Sequence, residues 1–288
     1  MSSFGLKLDL FVAFQQRTHR ASDRGRAVAG SAWPDEMNVE QGMQGLEVDA
    51  NTGSSTLYGP VSVMPAYIRR GFIRKVYAIL SVQLAITAAI GAYFHKHTSP
   101  QWAFKNIGLF HAASMGSLVL LLSVMCCCQN AARKFPTNYI FLLTLTLLES
   151  VVVGFFVTLY TGESVLLAVA TVAVVFSGLT AYACLTKKDF TGCGPYLMAA
   201  LLCLIGFGFV VMLWGMLFPP LPAAIDLMYA WAGVFLFSFY IVFDTQLIVG
   251  GNHKCQFDID DYCFAALNLY LDIIQLFIHL LRILGDRR

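Results

Sequence analysis

Residues 262–284 read YCFAALNLYLDIIQLFIHLLRIL, and within the first twenty of them Asp272 carries the single full charge. A helix of about 20 residues is long enough to cross roughly 30 Å of hydrocarbon. The polar residues Asn268, Asp272, Gln275 and His279 follow the spacing i, i+4, i+7 and i+11, so they lie on one helical face. The stretch therefore predicts a membrane-spanning helix whose polar face is buried against protein.

Six apolar segments of similar length precede this stretch. Their approximate bounds are 72–94, 108–128, 138–160, 164–185, 195–218 and 224–250. The chain is 58% hydrophobic and 12% charged, whereas soluble domains have roughly 25% charged residues. We therefore predict an all-α polytopic membrane protein, with a seven-helix transmembrane domain at 66–288 whose immediate surroundings are the lipid bilayer.

Residues 1–65 differ from the rest of the chain. They are rich in Gly, Ser, Asn, Gln and acidic residues and show no sustained hydrophobic periodicity. This composition is typical of a disordered tail. We expect no cleaved signal peptide, because Lys7 and Asp9 interrupt the apolar residues near the start and no small-residue cleavage site follows.

Basic residues flank alternate ends of the spans. They are Arg69, Arg70, Arg74, Lys75, Arg133, Lys134, Lys187, Lys188 and Lys254. The excess of Lys and Arg on one side predicts that this side, with the N-terminus, is cytosolic. Seven full crossings would place Arg282, Arg287 and Arg288 on the opposite side. Two alternatives remain open: either the last segment crosses fully despite these charges, or it is re-entrant.

The chain has eight cysteines. All of them fall within predicted spans or at predicted cytosolic ends, so structural disulfides are not expected. The run Cys126, Cys127 and Cys128 at a helix end is a candidate for lipidation. Packing of small apolar side chains at the helix terminus is the alternative interpretation.

Three carboxylates fall inside predicted spans, namely Glu149, Asp244 and Asp272. A charge at this depth costs several kcal/mol, and predicted spans two to six contain no Lys or Arg that could compensate. Neutralisation must therefore come from protons, from a proton shared between carboxylates or from a bound cation. We predict that Asp244 and Asp272 approach each other, titrate as a unit and hold calcium transiently.

The other polar residues of the spans have two interpretations each. Glu149, Asn268 and Gln275 are either pore or ion contacts or interhelical hydrogen-bonding groups. His279 lies near the end of its span, so we expect it at the membrane interface rather than as a ligand. The chain has a net charge of +2 and no basic face interleaved with aromatics, which argues against nucleic-acid binding.

Several short motifs resemble one protein family. They are Arg70-Gly71-Phe72-Ile73-Arg74-Lys75-Val76-Tyr77, Pro136-Thr137-Asn138-Tyr139 leading to Glu149-Ser150, Lys187-Lys188-Asp189-Phe190-Thr191, Phe243-Asp244-Thr245-Gln246 with Gly250-Gly251, and Ala266-Leu267-Asn268-Leu269-Tyr270-Leu271-Asp272-Ile273-Ile274. Together they cover about 67–284 and resemble the lifeguard branch of the Bax-inhibitor family, whose members contain the transmembrane BAX inhibitor motif. Leu57-Tyr58-Gly59-Pro60 is similar to plant-type members.

The resemblance implies a fold in which the last helix is surrounded by the other six. It also implies a pH-sensitive calcium leak through an intracellular membrane, the endoplasmic reticulum or Golgi, with suppression of cell death. Asp244 and Asp272 match the family's di-aspartyl pH sensor. The latching arginine described in the second span of some relatives has no counterpart in 108–128.

A non-transporting scaffold that regulates cell death through membrane protein partners is the alternative function. A seven-helix receptor or retinal protein is disfavoured, because the last span has neither Asn-Pro-x-x-Tyr nor a lysine for a Schiff base. The sequence also contains no G-x-S-x-G or H-E-x-x-H motif, so we expect no enzymatic activity. We expect no cofactor other than calcium and protons as permeant or regulatory ions.

Overall fold

The computed structural model describes residues 46–48, 55–57, 66–126, 136–217, 222–250, 257 and 261–288. Two short strands, β1 (Leu46–Val48) and β2 (Ser55–Leu57), pair antiparallel within the predicted tail. The helices that follow are α1 (Ala66–His97), α2 (Pro100–Lys105), α3 (Ile107–Cys126), α4 (Thr137–Thr158), α5 (Gly162–Leu185), α6 (Gly194–Leu217), α7 (Ala223–Val249) and α8 (Tyr262–Leu284). The rest of 1–65 lies outside the described residues, so the disorder of the tail stays a prediction.

Six of these helices are long and apolar enough to cross a membrane. They are α1, α4, α5, α6, α7 and α8. In α3 the corresponding apolar stretch, Ile107–Leu120, is shorter. The all-α polytopic membrane fold is therefore confirmed, whereas a count of seven crossings stays a prediction.

Helix α8 lies at the centre of the bundle. In its most apolar stretch 89% is buried, against 17% in α5. Its principal neighbours are α1, α4, α5 and α7, while α3 packs against α4 and α6 against α7. A helix that carries Asp, Gln and His on one face needs protein rather than lipid around it, because lipid offers no hydrogen-bond partners.

One end of the bundle, here called the basic end, contains the start of α8. The Lys75 ammonium of α1 lies 3.3 Å from the centroid of the Tyr262 ring. The Asn138 side chain of α4 donates a hydrogen bond to the Tyr262 hydroxyl at 3.2 Å. The starts of α1, α4 and α8 therefore lie together at this end.

The opposite end, here called the carboxyl-terminal end, contains the last residues of the chain. The backbone N–H of Arg288 donates to the Leu159 carbonyl at 2.9 Å, and the N–H of Thr161 donates to the Asp286 carbonyl at 3.0 Å. Arg282 of α8 forms an ion pair with Asp226 at the start of α7. Helix α8 therefore runs from one end of the bundle to the other, and Arg282 is paired with Asp226 at its far end. The choice between a full crossing and a re-entrant segment stays a prediction.

Candidate functional site

The candidate site lies where α7 packs against α8. A Cβ at Gly233 of α7 would lie 2.4 Å from the His279 ring of α8, so only glycine leaves room for that ring. The His279 ring also stacks on Phe237, with centroids 5.8 Å apart and 22° between the planes. These two contacts set the register of the antiparallel pair.

This register decides how close two acidic residues, Asp244 and Asp272, come to the same level. Asp244 lies seven residues after Phe237, and seven residues back from His279 is Asp272. Seven residues are close to two helical turns, about 10 Å, so each acid also keeps the face of its contact residue. Counting from the Gly233–His279 contact instead sets Asp244 about one helical turn from the level of Asp272. The Phe237 stack would set Asp244 level with Asp272, whereas the Gly233 contact and the Asp226–Arg282 ion pair shift the register by about one and two turns. The approach of the two acids therefore stays a prediction.

Both carboxylates are buried, with 4% of Asp244 and none of Asp272 exposed. Tyr240, one turn before Asp244, is 2% exposed. Within the described α7 and α8, Arg282 is the one Lys or Arg residue, and it is paired with Asp226 at the far end. Within their described residues, neither α7 nor α8 therefore places a Lys or Arg side chain beside Asp244 or Asp272.

His279 is buried within the bundle, whereas its expected depth at the membrane interface stays a prediction. It is 1% exposed, and the Tyr229 ring meets it edge-on at 5.5 Å. The physical reason is Gly233, which opens space inside the bundle that no lipid contact could provide. Of the other residues on this face of α8, Gln275 is buried at 4% exposure and Asn268 is half-buried. Whether these two are ion contacts or packing groups stays a prediction.

A second polar region, here called the hydroxyl cluster, joins α1, α4 and α8. It consists of Gln83, Thr87, Thr146, Ser150 and Tyr270, all of them buried. Thr87 Oγ1 lies 2.8 Å from the Tyr270 hydroxyl and 2.9 Å from Ser150 Oγ. Gln83 donates to Thr146 Oγ1 at 3.0 Å. Gln83, Thr87 and Tyr270 were not predicted as site residues. Gln83 and Thr87 lie four positions apart in α1, and this spacing could have indicated a polar face on that helix.

Glu149 is fully buried and is the neighbour of Ser150 on α4. Ser150 lies with Thr87 and Tyr270 on one side of α8. Tyr270 and Asp272 are two residues apart, which separates them by about 200° around α8. We therefore expect Glu149 on the Tyr270 side of the central helix, away from Asp272.

Two of the family-like motifs meet at the basic end. The Gln246 side chain of α7 donates to the Lys188 carbonyl at 2.8 Å and accepts from the Phe190 backbone N–H at 2.8 Å. Gly250 then ends α7 with a φ of 65°, a conformation that favours glycine. Gln246 therefore has a structural role, holding the α5–α6 loop against α7.

The arrangement does not resemble a resident metal site. Among the described residues, no group of three or more His, Cys, Asp and Glu side chains could hold a metal ion. Calcium prefers six to eight oxygen ligands, so two carboxylates suit only a transient contact with a partly hydrated ion. Cys184, Cys193, Cys203 and Cys263 are free thiols, whereas the Cys126–Cys128 side chains lie outside the described residues and their lipidation stays a prediction.

The fold and these polar regions define a helical polytopic membrane protein organised around a buried, acid-bearing central helix. The model of the family described as "Inhibitor of apoptosis-promoting Bax1" matches residues 69–288, and the chain belongs to this Bax inhibitor family.

Relatives include "Protein lifeguard 3" from Homo sapiens, 34% identical over 240 residues, which are 81% of this chain and 74% of that protein. "Bax inhibitor 1" from Schizosaccharomyces pombe is 34% identical over 227 residues, which are 78% of this chain and 80% of that protein. The similarity to plant-type members is not tested by these comparisons.

Proposed function

We propose that the protein is a pH-sensitive cation leak channel, with calcium as the permeant ion, and that it protects cells from death at the endoplasmic reticulum or Golgi with its N-terminus in the cytosol. The observation that supports the channel activity is the burial of two carboxylates, Asp244 and Asp272, on the packed helices α7 and α8. Two adjacent buried carboxylates exchange protons with their surroundings as a unit. Their charge therefore responds to pH at the centre of the bundle.

The protective role rests on the family and its relatives. The family description names the inhibition of apoptosis, and one relative carries the name Bax inhibitor 1. A calcium leak that lowers the content of an intracellular store is one physical route to such protection.

Calcium efflux from liposomes that contain the purified protein tests the channel, measured between pH 6 and 8. The wild type should show a pH-dependent rate. The double variant Asp244→Asn, Asp272→Asn should lose this pH dependence, because neither amide titrates. Glu47→Gln is the matched control, since Glu47 is an acid of β1 in the N-terminal tail, outside the transmembrane helices. A double variant with an unchanged pH response would refute the gating role.

Glu149 has a different expected role. Because we expect it on the other side of α8, Glu149→Gln should lower the rate of calcium flux and leave its pH response in place. If Glu149→Gln removed the pH response, all three acids would form one titrating unit, contrary to this placement.

The scaffold function remains the second candidate, and the role of Gln246 favours it. Its side chain serves packing, holding the Lys188 carbonyl and the Phe190 N–H of one loop. A scaffold predicts that cell protection survives neutralisation of Glu149, Asp244 and Asp272 together. A channel predicts that protection and flux are lost together.

A further inference from the structure

A cavity of 670 Å³ lies between α1 and α5, with α8 as its floor. The α1 wall includes the small residues Ala88, Gly91 and Ala92, while the α5 wall combines Ala173 and Ser177 with larger apolar side chains. α1 and α5 each pack on α8 rather than extensively on each other, which leaves a gap between them. The volume falls within the range of ligand sites, roughly 300–1,000 Å³.

The cavity opens toward the lipid. Leu166 and Val169 line it and are themselves 71% and 50% exposed, so they form its rim. The floor is closed by Ile273, Ile274 and Phe277 of α8, which are 4% to 8% exposed. Molecules can therefore enter from the bilayer and contact the central helix, which bulk lipid does not otherwise reach.

The length of the cavity matches one leaflet. On α1 its lining extends from Leu84 to His95, a rise of about 16 Å. Half of the hydrocarbon core measures about 15 Å. One end lies in the middle of the bundle, and the other lies at the carboxyl-terminal end.

Polar groups stand at that outer end. The Arg288 guanidinium donates to the His95 carbonyl at 3.3 Å, and His95 itself lines the cavity. The first residue of α5, Gly162, also lines it, so the positive end of a helix dipole faces the opening. Glu163 is the next residue, exposed, and Lys96 is exposed beside His95. The mouth thus offers positive groups together with two exposed acids, Glu163 and Asp286, the second held by its backbone against Thr161 and Ser164.

We propose that this cavity binds one acyl chain of a zwitterionic glycerophospholipid. The chain lies on Ile273, Ile274 and Phe277, the phosphate lies at Arg288 and the start of α5, and the ammonium group lies toward Glu163. The apolar walls bury the acyl chain. The charges of both signs at the mouth pair with the phosphate and the ammonium of the headgroup. A helix from a second copy is about 10 Å wide and offers no such match to the charged mouth.

Photolabelling tests the site with the full chain in phosphatidylcholine vesicles that contain a phosphatidylcholine with a diazirine on its acyl chain. After irradiation, the labelled peptides are mapped by mass spectrometry. We expect labelling of α8 at Ile273–Phe277 in addition to the exposed helices. No label on these buried floor residues would overturn the proposal.

A glycine pair supplies the matched variants. A Cβ added at Gly91 meets nothing within 4 Å, and the residue lines the cavity, so Gly91→Leu should fill the space without a clash. Gly178 of α5 is equally free of neighbours and lies outside the lining. Gly91→Leu should reduce α8 labelling at least fivefold and Gly178→Leu should leave it unchanged. Equal labelling in the two variants would contradict an acyl chain in this cavity.

The headgroup position has its own pair of variants. Arg288→Ala should reduce α8 labelling about twofold to fivefold, the effect of one exposed charge contact. Arg287→Ala should not, because Arg287 is directed to Asp226 at 3.9 Å. If the two arginine variants behave alike, the phosphate does not lie at Arg288. The site is independent of calcium flux, so it stands or falls separately from the channel.

Discussion

The ring of His279 stacks on Phe237 with centroids 5.8 Å apart, in space that exists because residue 233 is glycine. This contact helps to set the register of α7 against α8. The predicted approach of Asp244 and Asp272 depends on that register. The contact is also open to a direct test of packing.

Gly233→Ala should destabilise the protein by about 1–3 kcal/mol, the usual cost of overpacking. The new Cβ would lie 2.4 Å from the His279 ring, so the ring or the helix must move. The measurement is the thermal unfolding midpoint in detergent. Gly178→Ala, where a Cβ meets nothing within 4 Å, is the control. Combining Gly233→Ala with His279→Ala should restore part of the loss, and strictly additive effects would contradict the contact.

Tyr270→Phe should lower the free energy of unfolding by about 0.5–1.5 kcal/mol, the typical worth of a hydrogen bond. The variant removes the hydroxyl that lies 2.8 Å from Thr87 Oγ1 and keeps the ring. The same thermal unfolding measurement applies. Tyr93→Phe is the control, because Tyr93 is 62% exposed. Equal midpoints for the two variants would show that the hydroxyl cluster contributes nothing to stability.

The bounds of the last two helices could be predicted closely from sequence. The predicted 262–284 corresponds to Tyr262–Leu284, and 224–250 corresponds to Ala223–Val249. Long apolar runs between turn residues give a strong signal, because the membrane demands both length and apolarity. Helix α1 extends beyond its predicted 72–94 at both ends, because helical turns outside the hydrocarbon tolerate charges.

The short helix α2 was not predicted. Its signal was present in Ser99, which caps the helix by accepting from the Trp102 N–H at 3.3 Å, and in the following proline. Six residues are too few for a periodic pattern to show.

The partners of the buried polar residues could not be predicted at all. Periodicity indicates which face of a helix is buried, but it contains no information about which other helix covers that face. Thr87 and Tyr270 are 183 positions apart and meet only in the folded bundle. For the same reason the side of α8 that Glu149 faces could not be predicted from the sequence.

Gln246→Leu should release the α5–α6 loop. The variant removes the acceptor of the Phe190 N–H and the donor to the Lys188 carbonyl. Two lost hydrogen bonds lower the cost of local opening, so trypsin cleavage after Lys188 should accelerate about tenfold. The appearance of the fragment is followed by mass spectrometry. Gln101→Leu is the control, because Gln101 is an exposed glutamine on α2. An equal cleavage rate in both variants would show that Gln246 does not hold the α5–α6 loop against α7.

The last prediction concerns the path of α8 through the membrane. Its start lies with Lys75 and its end lies with Leu159 and Asp226, so the two ends of the helix belong to opposite ends of the bundle. A tag placed after Arg288 should therefore be cut by protease from the side opposite to the one that exposes Lys188 and a tag at Met1.

Sealed vesicles of one orientation, treated with protease before and after permeabilisation, provide the measurement. The positive charges near the C-terminus favour the same side as the other basic residues, so a purely charge-driven topology would expose both tags together. The packed geometry opposes this, because Arg282 is held by Asp226 and the backbone of Arg288 is held by Leu159. Joint exposure of the two tags would show that α8 re-enters the membrane. It would also contradict the end-to-end packing of α8 along α7 on which the predicted approach of Asp244 and Asp272 depends.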